Sequence, residues 1–369
     1  TPTAPAIPAC CRMNPVGERQ APREPLIDWL DSTHGWAVVG TNLHWTADGG
    51  KTWDSGSPLP ASGTIQFLDS QRGWLVATGS SDPVQEVYSK MPVYRTADGG
   101  KTWTETDIPW TEANIPAGTP DEVSGWHGSN WVWGHFADAT HGVVARCPHL
   151  LAGQREATCQ AYTTDDGGVT FQGPVTTKYA TAITWLSPTT GWAVGGQTTP
   201  VLKVTEDGGR TWTQQPLAAP AGASPTFGAM ALAPKPGGGW RLLVYFYMDD
   251  NSSVLGRYET AGPSLAGTWN LAWRGADPSP SEGISAFRVA GDGLVATSDS
   301  HFWSSSDFGQ TWHQLAAIPT EVHDFVFIDA DTGWQLRAPT YDGSPDALLA
   351  TTDGGKTWHV VLQVPSVVG

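Results

Sequence analysis

An octapeptide, Thr46-Ala-Asp-Gly-Gly-Lys-Thr-Trp53, returns unchanged from Thr96 to Trp103 and constrains this chain more than any other feature. Variants run over 164–171, 205–212, 305–312 and 351–358, and a decayed copy ends at Gly267-Thr-Trp269. Upstream of each copy stands a second marker: Gly35-Trp36, Gly73-Trp74, Gly142-Val143, Gly191-Trp192, Gly239-Trp240, Gly293-Leu294 and Gly333-Trp334. Two independent markers that alternate seven times mean a repeat architecture. Each unit of such a chain is one supersecondary element that buries its apolar face only against its neighbours.

Each unit reads as four short strands. In the first, residues 26–30 form strand one, 31–35 a turn, 36–40 strand two and 43–46 strand three. The octapeptide then makes a tight hairpin, and Trp53 opens a frayed fourth strand. The apolar runs are short, rich in Val, Ile, Trp and Phe, and punctuated by Gly and Asp, with no useful helical period. The expected fold is all-β: a seven-bladed β-propeller of four-stranded antiparallel blades over residues 26–369, behind a Pro-rich N-terminal tether over 1–25. The chain would start with an innermost strand and end with an outermost one over 360–364, so closure of the ring would rest on blade packing.

The octapeptide has a mechanical explanation. Asp48 can accept from backbone N–H groups of its own turn, as Asx turns do. Gly49 and Gly50 supply the positive φ of a tight hairpin, the hydroxyls of Thr46 and Thr52 close it, and Trp53 carries an apolar plate between blades. Asp98, Asp166, Asp207, Asp307 and Asp353 take the same structural role. Calcium is a poor reading, since each copy offers one carboxylate where the ion wants roughly six to eight oxygens.

The pattern [Ser/Thr]-x-Asp-x-Gly-x-Thr-Trp resembles the Asp-box, or bacterial neuraminidase repeat. Paired with Gly191-Trp-Ala-Val-Gly195, it resembles the photosystem II assembly and stability factor family of cyanobacteria and plastids, over residues 26–364. The resemblance implies a propeller. It does not settle function, because sialidases, xyloglucan-cleaving glycosidases and sortilin-type receptors share the box.

The 36 acidic and 20 basic residues give a formal charge of −16, a field that repels phosphate and argues against nucleic acid or an anionic membrane as main partner. No apolar stretch is long enough to span a membrane. The opening Thr1-Pro-Thr-Ala-Pro reads as a processed end leading into the tether. Cys147 and Cys159 bracket a loop between strand-like runs, so a hairpin disulfide is expected; free thiols in a cytosolic protein are the alternative. The neighbours Cys10 and Cys11 leave the connectivity open, and zinc-ligand spacing is missing. These features favour an exported protein, whether periplasmic, extracellular or anchored at the cell surface.

Spacing between the markers shows which loops are decorated. The step from Trp103 to Val143 is about twice that from Trp53 to Trp74, and blades two, three, five and seven carry extra residues between their second and third strands. Insertions over 79–92, 104–130 and 147–159 should converge beside blades two and three, on the face opposite the octapeptide hairpins. The middle one holds Trp110, Glu112, Asp121, Glu122, Trp126 and His127, a mixture of aromatic plates and acids suited to a partner-binding patch. The other reading is a long loop whose tryptophans tuck back onto the blades. Blade seven adds Tyr341, Asp342 and Asp346 elsewhere on the rim. Of the 20 tryptophans, only Trp110 and Trp126 fall in a stretched loop; the others follow the markers and strand runs.

Catalytic sets are not visible. Sialidases carry an aromatic-Arg-Ile-Pro motif, and the nearest approach here is Pro22-Arg-Glu-Pro25. A glycosidase pair could be drawn from Glu86, Asp121, Glu122 and Asp342, but one propeller lacks the second wall of a two-propeller cleft. Phosphate-loop and nucleophile-elbow motifs are missing. The expected function is a non-catalytic exported scaffold, without cofactor or metal, that binds a protein partner as an assembly or accessory subunit of a membrane or envelope complex. The alternative is a carbohydrate-active or glycan-binding propeller that uses Trp110 and Trp126 as stacking platforms.

Overall fold

Each repeat folds into its own four-stranded antiparallel sheet in a computed structural model that describes residues 26–77, 90–109, 131–147, 158–178, 182–187, 189–195, 201–250, 252–298, 300–318, 322–337 and 346–363. Blade one comprises β1 (Ile27–Trp29), β2 (Gly35–Val39), β3 (Asn42–Thr46) and β4 (Ser57–Pro58). Blade two comprises β5 (Gly63–Phe67), β6 (Gly73–Ala77), β7 (Lys90–Thr96) and β8 (Thr104–Pro109). Blade three comprises β9 (Trp131–Phe136), β10 (Gly142–Cys147), β11 (Thr158–Thr164) and β12 (Gln172–Lys178). Blade four comprises β13 (Ala182–Trp185), β14 (Gly191–Gly195), β15 (Val201–Thr205) and β16 (Thr213–Pro216). Blade five comprises β17 (Ala223–Pro234), β18 (Trp240–Met248), β19 (Ser253–Glu259) and β20 (Asn270–Ala276). Blade six comprises β21 (Ala286–Ala290), β22 (Gly293–Thr297), β23 (His301–Ser305) and β24 (His313–Ala317). Blade seven comprises β25 (Val322–Phe327), β26 (Gly333–Arg337), β27 (Ala347–Thr351) and β28 (His359–Gln363). The result is the expected seven-bladed propeller.

The marker glycine exists because of its cross-strand partner. Gly35 pairs with Trp29, Gly73 with Phe67, Gly142 with Phe136 and Gly333 with Phe327. A Cβ at these glycines would lie 2.3, 2.5, 2.4 and 2.7 Å from the facing ring, so only glycine lets that aromatic lie flat across the second strand. The tryptophan after the glycine then stacks on the same aromatic of the following blade. Trp36 lies 4.0 Å over Phe67 at 2°, Trp74 lies 4.0 Å over Phe136 at 4°, and Trp334 lies 3.4 Å over Trp29 at 13°. The last tryptophan of the octapeptide meets this ring edge-on, as in Trp29–Trp53, Phe67–Trp103 and Phe327–Trp358. Offset and T-shaped pairs of this kind add about 0.5–1.5 kcal/mol each beyond area burial.

Polar side chains staple the innermost strands. First strands of neighbouring blades pack on one another and have one edge without a sheet partner, a row of groups that must be satisfied. Asp28 accepts the Phe67 N–H of the next blade, while Gln66 accepts the Phe136 N–H at 2.8 Å and donates to its carbonyl at 2.7 Å. The buried Arg288 donates to the Phe325 carbonyl and to Asp324. Asp324 in turn accepts the N–H groups of Leu26 and Ile27 at 3.1 and 3.3 Å, which joins blade seven to blade one. Together with the Trp29–Trp334 stack, this closes the ring by packing, with no sheet shared between the two ends among the described residues.

Three sequence expectations shift. Blade five has no inserted loop between its second and third strands: β18 and β19 are longer and joined by a short hairpin, and the third-to-fourth connection is extended. In blades five and six the marker lies one residue out of register. Trp240 and Leu294 pair with Thr260 and Ser305, the place of glycine elsewhere, so Arg241 and Val295 occupy the tryptophan position. Trp240 is half-buried and donates its indole N–H to the Pro263 carbonyl. Finally, residues 104–109 and 90–92 are strand rather than insertion.

Phe67→Ala removes a fully buried ring between two tryptophans and is expected to cost about 3–5 kcal/mol in denaturant unfolding. The exposed Val169→Ala should stay within about 0.5 kcal/mol of wild type. Equal costs for the two would contradict the seam as the seat of stability.

Candidate functional site

The two faces of the ring are chemically different. On one, the first octapeptide glycine donates to the turn between first and second strands: Gly49 to Thr33, Gly99 to Gln71, Gly167 to Thr140, Gly208 to Thr189 and Gly354 to Asp331. On the other, hairpins between second and third strands meet the inter-blade connections, through Leu59 N–H to Thr41, Asp249 N–H to Gly222 and Ile318 N–H to Ser300.

The octapeptide carboxylates are used up by their own hairpins. Asp48 accepts the Thr46 hydroxyl, the Thr52 N–H and the Thr52 hydroxyl at 2.9, 2.9 and 2.6 Å, and Thr46 Oγ1 accepts the Gly50 N–H. The same set recurs at Asp98, Asp166, Asp207, Asp307 and Asp353. Gly49 and Gly50 have φ of 77° and 85°, and the Trp53 indole donates to the Gly50 carbonyl. The Thr52 hydroxyl, then its N–H, hold Asp48 down to about 2; the Thr102 hydroxyl does the same for Asp98 and the Thr357 N–H for Asp353. Such groups are ionised acceptors at neutral pH and have no proton to give.

Strand ends of blades two and three meet on the connection face. β6 ends at Ala77 and β7 starts at Lys90, β8 ends at Pro109 and β9 starts at Trp131, and β10 ends at Cys147 and β11 starts at Thr158. Trp110, Glu112, Asp121, Glu122, Trp126 and His127 lie outside the described residues, as do Tyr341, Asp342, Glu86, Cys10 and Cys11. Asp346 is described: its carboxylate accepts the Gly40 N–H at 3.1 Å and ties blade seven to blade one. The β10–β11 register pairs Arg146 with Gln160, the sequence neighbours of Cys147 and Cys159.

A polar knot that the sequence does not announce lies on the same face between blades five and six. Asp277 accepts the hydroxyls of Tyr245 and Ser253 and the Ser279 N–H. Glu282 accepts the Ser298 hydroxyl at 2.6 Å and the Ser300 N–H at 3.3 Å, with His301 at 3.9 Å. Burial pushes the Tyr245 phenol up, while the Ser298 hydroxyl holds Glu282 below the usual carboxylate range. Glu282 thus ties the connection to the blade-six hairpin, and Asp277 ties it to Tyr245 and Ser253 of blade five. No sequence signal marks these residues, because the octapeptide of blade five has lost its aspartate. Trp269 keeps its place there by donating to the Leu265 carbonyl. Among the described residues, no group of three or more His, Cys, Asp or Glu is placed to hold a metal, and no helix is long and apolar enough to cross a membrane.

No family model matches the chain, and no curated protein sequence matches it. Solved structures do. YCF48 bound to D1 peptide aligns over 96% of this chain and 97% of its own, with 17% identity and a TM-score of 0.50. The GH74 xyloglucanase from Xanthomonas campestris aligns over 94% of this chain with 13% identity and a TM-score of 0.54; this chain spans 55% of that enzyme's length. Polysaccharide lyase Uly1 aligns over 90% of both chains with 7% identity and a TM-score of 0.53. At such identities the likeness is one of fold.

The depressed carboxylates set a pH dependence. Their folded-state values near 2 lie below the ordinary 3.8, so their stabilisation is complete above about pH 4 and is lost as pH falls towards 2. Thermal melts should show the midpoint falling through that window. Asp98→Asn should lower the midpoint at pH 7 and flatten the acid limb; an unchanged limb would show that these hairpins do not govern acid stability.

Proposed function

We propose that this chain is a non-catalytic exported scaffold that binds a segment of another protein on the connection face, at blades two and three. One observation carries the reading: the strand ends at Ala77, Pro109 and Cys147, after which the three decorated sequence segments follow, belong to adjacent blades and share one face. Residues Trp110, Glu112, Asp121, Glu122, Trp126 and His127 would supply aromatic plates and acids there, on a rigid ring that loses little entropy on binding. The fold likeness to YCF48, whose structure holds a D1 peptide, supports a polypeptide ligand and an assembly-factor role of the kind the Asp-box resemblance implies. Asp277 and Glu282, on the described part of this face, accept from neighbouring hydroxyls and N–H groups, which supports a structural role for them.

Pull-down from the native envelope beside a glycan array is expected to retain a protein. The double variant Trp110→Ala, Trp126→Ala should weaken that capture about tenfold or more with an unchanged unfolding midpoint. Retention of a glycan with turnover would overturn the proposal in favour of a carbohydrate-active propeller. Export also predicts a Cys147–Cys159 bridge across the β10–β11 pair, seen as a linked peptide in unreduced peptide mapping. Two free thiols in protein recovered from its native compartment would count against it.

A further inference from the structure

The seams between blades are closed by different residues, and one seam is left short of them. At the first and second seams the marker tryptophan reaches the next octapeptide: Trp36 donates its indole N–H to the Gly99 carbonyl at 3.4 Å, and Trp74 to that of Gly167 at 2.8 Å. At the fifth seam the filler comes from the opposite side. Phe308 replaces the first octapeptide glycine, fully buried with φ of 57°, and the Arg241 guanidinium lies 4.2 Å over its ring. At the sixth, Val295 is small, but Phe302 packs against Phe325 and Trp358.

The third seam has small residues at all three corresponding positions. Val143 stands where the tryptophan would be, Gly208 holds the place in the next octapeptide that Gly99 and Gly167 hold, and Ala161 takes the register position of Phe302. A groove of about 300 Å³ opens at this seam beside Gly208 and Gly142, the latter next in sequence to the buried Val143. Ala137, His141 and Gly142 form one wall, and Thr189, Gly208 and Arg210 form the other. Asp165, 3.4 Å from Arg210, stands at the rim with it. The volume is at the low end for ligand sites, suited to a single ring system rather than an oligosaccharide.

We propose that this slot receives a planar aromatic ring carrying an N–H donor, the indole of a tryptophan on a partner polypeptide. The ligand would do at Gly208 what Trp36 and Trp74 do within the chain at Gly99 and Gly167: donate to the glycine carbonyl and fill the seam. His141, Asp165 and Arg210 would meet the flanking peptide groups. The site lies on the octapeptide face and is independent of the proposed binding on the connection face.

Saturation-transfer NMR with about 1 mM N-acetyl-tryptophanamide should detect binding to the whole chain. N-acetyl-phenylalaninamide, which lacks the donor, should bind about fivefold or more weakly. Free indole should also bind more weakly than the amide; the reverse order would overturn the polypeptide source. Val143→Trp introduces the residue found at the first, second and seventh seams and should reduce binding at least about tenfold. Thr189→Trp blocks the exposed wall and should do the same, deciding the matter if the buried variant fails to fold. Undiminished binding in a folded Thr189→Trp variant, or no binding to wild type, would overturn the proposal.

Discussion

Much of this ring depends on one stacking unit, which crosses the first, second and seventh seams. A tryptophan on the second strand of one blade lies flat on an aromatic of the next blade's first strand. That aromatic can lie flat only because glycine stands opposite it. A single blade has too little depth to bury such plates by itself, so the blades are stable only as neighbours. The cooperative element is therefore the seam rather than the sheet, and variation from seam to seam is where individuality enters.

The polar side of the structure obeys a related economy. A net charge of −16 suggests at first a surface built to attract cations or basic partners. Many of these carboxylates are instead internal acceptors: those of the octapeptides close their hairpins, Asp31, Asp69 and Asp138 close turns, and Asp28 and Asp324 staple innermost strands. In a chain with so much tight turning, acid count is in part a measure of turn count.

Much of this was legible from residues alone. The alternation of Gly-Trp and octapeptide predicted blade number, strand order and the use of Asp48 as a turn acceptor, because each depends on contacts within a few residues. What sequence could not supply was register across blades. The glycine of Gly35-Trp36 reads as a turn residue until Trp29 is seen lying against it. Trp240 reads as another plate, although Thr260 holds it one position early and Arg241 takes its place. The knot of Asp277 and Glu282 joins residues whose partners lie in neighbouring hairpins, so no local spacing betrays it.

The closure between Asp324 and the N–H groups of Leu26 and Ile27, with Trp334 on Trp29, has a consequence for how such a ring tolerates rearrangement. Because, among the described residues, no sheet is completed by strands from both ends, every blade is a contiguous stretch of chain, and the joint between blades seven and one uses the same stacking grammar as the first and second joints. The place at which the polypeptide begins is thus nearly arbitrary. A gene encoding these blades in rotated order would specify the same ring, and whole blades are the natural coin of duplication and loss.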